Sequence, residues 1–161
     1  MLIFGRFDEK CTDGQPHEAG QGDYYSSWSL WDTYRTKFPL ITLLDPERSS
    51  SIMQSLASLY VTGKQDWSTD HECVPTVRTE HAIATLLDAY RQGISIPNLD
   101  EAWAGMVHEA AHLPLHSPDQ CLEAAADYWA LGQLAVSTQI AAHDAVGNLE
   151  RAVESALAKS Q

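Results

Sequence analysis

The run Asp45-Pro46-Glu47, followed by Ile52, Met53, Leu56, Leu59 and Tyr60 and then by Gly63, constrains the fold more than any other stretch. Asp45 can accept a hydrogen bond from a first-turn amide. Pro46 has no N–H to leave unpaired at the first helical position, and Glu47 suits the positive end of the helix dipole. The apolar residues recur at helical spacing and Gly63 supplies a stop, so the spacing predicts a core helix, and no chemistry is assigned to it. The same punctuation recurs downstream. Arg78 to Gln92 reads as a helix capped by Thr79, with Ala82, Ile83, Leu86, Leu87 and Tyr90 on one face and Gly93 as terminator. Ile96 to Leu113 reads as another, opened by Asn98 or Asp100. Ser117-Pro118-Asp119-Gln120 then looks like an N-cap, a first-position proline and a glutamine completing a capping box. Leu122, Ala125, Ala126, Trp129, Leu134 and Val136 are its expected packing positions. The pattern weakens at Ser137-Thr138, and a last helix is expected from Ile140 to Lys159 on Val146, Leu149, Val153 and Leu157. The expected architecture is all-α, with helices in antiparallel pairs because their connections are short.

A chain of 161 residues is one domain by size, able to bury a single core. Residues 1–23 hold Gly5, Gly14, Gly20, Gly22 and Pro16 among several acids, the composition of turns around at most a short strand. They are expected to form an irregular lead-in, with residues 24–161 as the helical part. Twenty-two acidic against ten basic residues give a formal charge of -12, which argues against nucleic acid and anionic membranes as partners. Cys11, Cys73 and Cys121 are odd in number and lack CxxC spacing, so no disulfide framework or cysteine zinc site is expected. The opening MLIFGRFDE is too short in apolar residues for a signal peptide, and no stretch is long enough to span a bilayer, so the sequence itself assigns no localisation.

Between the lead-in and the first capped helix lies Tyr24 to Leu44, with two of the five tryptophans and three of the six tyrosines beside Asp32 and Arg35. Aromatic stripes are most often packing. An aromatic face beside a carboxylate and a guanidinium is also how proteins hold sugars, the ring stacking on C–H bonds while the charges bond hydroxyls. A helix is expected from Ser27 to Phe38, ended by Pro39, which would place Asp32 mid-helix against its propensity.

Three segments in order resemble a known family. SLWDTYR followed by FPLITLLDPER, then VRTEHAIATLLDAYRQGI (Val77 to Ile94), then LEAAADYWALGQLA (Leu122 to Ala135) are together similar to glycoside hydrolase family 92. Those enzymes are calcium-dependent, exo-acting α-mannosidases. The resemblance departs from the family pattern at Ala126, where tyrosine is usual. It implies an open arc of an α/α toroid, a mannose-containing glycan as ligand, and Ca2+ as cofactor, with no ligands for the ion placed in this chain. By the same resemblance Trp31, Asp32, Arg35 and His81 would bind the sugar. The general acid would lie in the polar loop Lys64 to Thr76, as Glu72, with Asp70 and Glu80 as alternatives; assigning Glu72 takes a one-residue slip against the family spacing.

Inverting glycosidases need a second carboxylate to activate water. The family takes it from a downstream Gly-Asn-Asp-Asp-type motif that has no counterpart before Gln161. The sequence therefore reads as an interior part of the family's helical catalytic domain, incomplete or inactive as an isolated enzyme. It would lean on flanking segments and could self-associate through apolar cut edges.

A second class competes with this reading. His108-Glu109-Ala110-Ala111-His112 fits HExxH, the spacing that puts two zinc ligands on one helical face with a glutamate to activate water, and His116 or Glu123 could complete the set. At about 100° per residue, however, both histidines fall opposite the stripe of Ala102, Trp103, Met106, Val107 and Ala110, on the expected solvent face.

Overall fold

The computed structural model describes residues 3–4, 23–25, 30–62, 81–113 and 115–138. The expected helix over 140–159, Thr79 as a cap and the loop carrying Glu72 lie outside the described residues. In chain order the elements are β1 (Ile3–Phe4), β2 (Tyr24–Tyr25), α1 (Leu30–Thr33), α2 (Lys37–Leu44), α3 (Pro46–Thr62), α4 (Ala82–Arg91), α5 (Leu99–His112) and α6 (Pro118–Thr138). The all-α expectation holds, with one two-residue antiparallel ribbon, Ile3 opposite Tyr25 and Phe4 opposite Tyr24. The Tyr25 amide donates to Ser55 Oγ at 3.1 Å, which fastens the ribbon to α3.

α3 starts where Asp45 and Pro46 predict, and the expected stop at Gly63 lies outside the described residues. Asp45 Oδ1 accepts from the Arg48 amide at 3.1 Å, and Ile52, Met53, Leu56, Leu59 and Tyr60 are all buried. The expected helix from Ser27 to Phe38 is corrected. The chain makes one turn of helix at α1, breaks at 34–36 and restarts as α2, so Pro39 falls inside the first turn of the new helix rather than ending the old one. First-turn amides have no intrahelical partner, so a proline there costs no hydrogen bond. Asp32 consequently sits in a single exposed turn, not mid-helix. At the α2–α3 corner the buried hydroxyls of Thr42 and Ser49 bond each other at 2.8 Å.

α4 begins at Ala82 and does not run through His81, whose φ of 72° is left-handed. Its end matches expectation. Gly93, at φ 84°, donates to the Tyr90 carbonyl at 3.0 Å, and Ile94 reaches back to the Ala89 carbonyl at 3.0 Å. That paired closure satisfies two last-turn carbonyls and depends on a residue that tolerates positive φ. Asn98 stands at the N-cap of α5 but turns its side chain to α3, donating to the Gln54 carbonyl at 3.1 Å and to Ser58 Oγ at 2.9 Å. At the start of α6, Gln120 accepts from the His116 amide at 3.0 Å, one residue beyond the one a capping box would use.

The direction of packing can be read from which residues pair. Along α3, Ser50 meets Ser95, Gln54 and Ser58 meet Asn98, and Tyr60 meets Glu109, so α3 and α5 lie side by side and point the same way. Along α4, His81 meets Glu123 and Asp127 while Arg91 meets Gln133, so α4 and α6 are likewise parallel neighbours. The Ser50–Ser95 contact brings the start of α3 to the turn after α4, which makes α3 and α4 antiparallel. From α3 to α6, helices consecutive in the chain are thus antiparallel and alternate between two layers, the arrangement from which α/α toroids are built. At the α3–α5 crossing, a Cβ on Gly105 would stand 2.2 Å from the Tyr60 carbonyl oxygen, so this approach requires glycine.

The core between the layers comprises Ile52, Met53 and Leu56 of α3, Ile83 and Leu86 of α4, Met106 of α5, and Leu131 and Leu134 of α6. The expected packing face of α6 is corrected. Leu134 is buried as expected, but Leu122, Ala125, Trp129 and Val136 are exposed, and Ala124, Ala130, Leu131 and Ala135 are buried in their place. Three alanines share the buried face with Leu131 and Leu134, while Leu122, Trp129 and Val136 are turned outward. Leu40, Leu43 and Leu44 on α2 are exposed as well. Among the described residues no helix is long and apolar enough to cross a membrane.

Candidate functional site

The aromatic-acidic turn at α1 is joined to the start of α4 and the first half of α6. Trp31, 45% exposed, donates its indole N–H to Glu123 Oε1 at 3.1 Å. The other Glu123 oxygen lies against His81 Nε2, the glutamate side chain 28% exposed and the histidine 1%. Tyr34 stacks on the His81 ring with centroids 4.0 Å apart and planes 19° from parallel. Arg35 closes the series from outside, its Nε–H donating to the Tyr34 hydroxyl at 2.5 Å and its guanidinium 4.8 Å from the Tyr34 ring centroid. Asp32 and Arg35 are both exposed. Three of the four expected sugar-binding residues, Trp31, Arg35 and His81, therefore meet through Glu123 and Tyr34, with Asp32 beside them on α1.

His81 is held through its backbone and by the Tyr34 ring stacked on it. Its amide donates to Asp127 Oδ2 at 3.3 Å, and its carbonyl accepts from the Thr85 amide at 2.9 Å and from Thr85 Oγ1 at 2.8 Å. Its Nδ1 stands 3.9 Å from Asp127 Oδ1, too far for a hydrogen bond. A non-glycine residue at positive φ costs on the order of 1–2 kcal/mol and persists only where its surroundings fix it, a condition met here by the ring stack, the carboxylate and the backbone bonds.

Asp127 is buried in α6, and its charge reaches further. Tyr60 is pushed well above the ordinary tyrosine range, first by burial and then by the nearby negative charge of Asp127. Tyr128 is raised for the same two reasons in the same order, with Cys121 adding to them.

The HExxH segment is built differently. His108 and His112 are exposed on α5, their rings stacked 4.3 Å apart, and His112 Nδ1 lies 2.7 Å from the His108 carbonyl oxygen. Glu109 turns the other way and accepts from the Tyr60 hydroxyl at 2.6 Å. Histidines on the solvent face and a glutamate engaged with α3 are not the floor of a zinc cleft. Among the described residues no group of three or more His, Cys, Asp or Glu is placed to hold a metal ion.

Glu123, Asp127 and Tyr34 are the site residues that sequence reasoning did not assign to the sugar. Two acids four apart on an alanine-rich helix are the signal that could have found Glu123 and Asp127, since an acid on a packed helix face needs a partner; no such signal marks Tyr34. A family model described as "Glycosyl hydrolase family 92 catalytic domain" matches residues 5–159. No curated protein and no solved structure matches the chain.

Proposed function

We propose, starting from the fact that this chain belongs to glycoside hydrolase family 92, that Trp31, Asp32 and Arg35 hold the terminal α-mannose of a glycan. Membership of the family's catalytic domain makes mannose glycans the substrate class. The observation that carries the residue assignment is the joining of Trp31, His81 and Arg35 through Glu123 and Tyr34, with the charged Asp32 on the same exposed turn. A half-exposed indole supplies the stacking face for the pyranose. A carboxylate and a guanidinium flanking it accept from and donate to neighbouring hydroxyls, which fixes orientation as well as affinity.

Glu72 is our candidate for the acid that protonates the leaving oxygen; an inverting mechanism takes its water-activating base from a second carboxylate on the opposite face of the sugar. Calcium dependence comes with the family. The ion takes six to eight oxygen ligands, and because the described residues gather no such cluster, no step assigned to this chain passes through it. Self-association through the exposed leucines of α2 belongs to the same proposal, checked by sedimentation velocity over a concentration series.

Calorimetric titration with methyl α-mannoside tests the central assignment. Saturable binding that Asp32→Ala abolishes without lowering the melting temperature supports it. No binding by the unaltered chain, or equal binding by the variant, overturns it.

A further inference from the structure

We propose that Glu123 is a positioning residue for the sugar-stacking indole: anchored by His81, it fixes the orientation of Trp31 and never needs to touch the ligand itself. The inference rests on Trp31 being the stacking face. It adds a residue and a mode of action to that reading.

The two oxygens of one carboxylate face in opposite directions. Oε1 accepts the Trp31 indole N–H at 3.1 Å, and Oε2 pairs with the His81 ring. Trp31 is 45% exposed on a four-residue helix. Trp has a single N–H donor, so one directional bond to an ionised acceptor is the most effective constraint available to it. That constraint is only as good as the acceptor's own placement. Glu123 stems from α6, the longest described helix, and its far oxygen lies against a buried histidine. His81 is 1% exposed, stacked on Tyr34, locked at positive φ and tied through its amide to Asp127, one turn along the same helix as Glu123. Orientation thus passes from a buried ring, through a partly buried carboxylate, to an exposed indole. An indole held in place before the sugar arrives loses less side-chain freedom on binding, which raises affinity without any added contact.

The test reads Trp31 directly. In a 15N-labelled chain the Trp31 indole N–H resonance, identified by its loss in Trp31→Phe, is followed in the absence of ligand. Glu123→Ala should speed its exchange with water about tenfold, the loss expected for a hydrogen bond to a charged acceptor. Glu123→Gln, which keeps a neutral acceptor, should fall between. Affinity for methyl α-mannoside should weaken about tenfold in Glu123→Ala, while Tyr60→Phe, which loses a bond elsewhere in the fold, should bind like the unaltered chain. An indole exchange rate unchanged in Glu123→Ala overturns the proposal. So does equal weakening of affinity by Tyr60→Phe, since that would reduce Glu123 to general stability. If the unaltered chain binds no mannoside while Glu123→Ala still releases the indole, the sugar reading falls and the positioning link stands.

Discussion

Two regions of this molecule look chemically loaded in the sequence, the aromatic turn at Trp31 to Arg35 and the HExxH turn at His108 to His112, and they end in opposite states. The first is joined to residues far away in sequence, Trp31 to Glu123 and Glu123 to His81, and has a buried ring at its base. The second satisfies itself, ring on ring and imidazole on the carbonyl of the preceding turn, and its glutamate fastens α5 to α3. Local spacing marked both. Only convergence from separate elements, which pins side chains in a fixed relation, distinguishes a site from a decorated helix face.

The largest effect expected belongs to the helix crossing beneath the HExxH turn. Gly105→Ala should cost about 3 kcal/mol by urea denaturation, since its methyl meets backbone that cannot yield. A near-neutral result would mean that Glu109 and Tyr60 are not held in the close packing described.

Next is the base of the aromatic site. Asp127→Ala leaves the buried His81 amide without its acceptor and should cost about 2 kcal/mol in the same measurement. Stability unchanged to within error would undo the claim that this site is braced from α6.

Tyr60→Phe should cost about 1 kcal/mol at neutral pH through loss of the bond to Glu109. Its effect should change at alkaline pH. The folded-state pKa of Tyr60 is raised above the unfolded value by burial and by Asp127, so the stability tied to its proton is whole below about pH 10 and is lost as pH climbs through the folded value. Melting temperatures followed by circular dichroism from pH 8 upward should therefore fall less steeply in Tyr60→Phe, and parallel curves would refute the assignment.

The smallest effect is expected where the motif looked strongest. Replacing His108 and His112 together by alanine should shift stability by no more than about 0.5 kcal/mol and leave methyl α-mannoside binding intact. Loss of binding would bring α5 into the site and erase the contrast between the two regions.

What was legible in the sequence was what is local. Asp45, Pro46 and Gly93 announced the ends of α3 and α4 because caps act within a few residues, and the core stripe of α3 followed from its period. The solvent face of His108 and His112 was readable from helical geometry alone. Pro39 misled because the same residue ends one helix and opens another, and which it does depends on where the preceding turn breaks. The face of α6 was assigned correctly at Leu134 but wrongly at Leu122 and Trp129, whose size suggested burial, whereas Ala124, Ala130 and Ala135 take the buried positions. Glu123, weighed only as a zinc ligand, and Tyr34 stayed hidden as partners of Trp31 and His81 since those contacts are not encoded by any periodicity.

The left-handed backbone of His81 sets two demands on one position that no single natural side chain meets together. Glycine would relieve the twist but remove the imidazole, and any other residue that filled the ring's place would inherit the twist without the nitrogen that faces Glu123. Relief of the twist at this position is therefore inseparable from loss of the ring that packs on Tyr34.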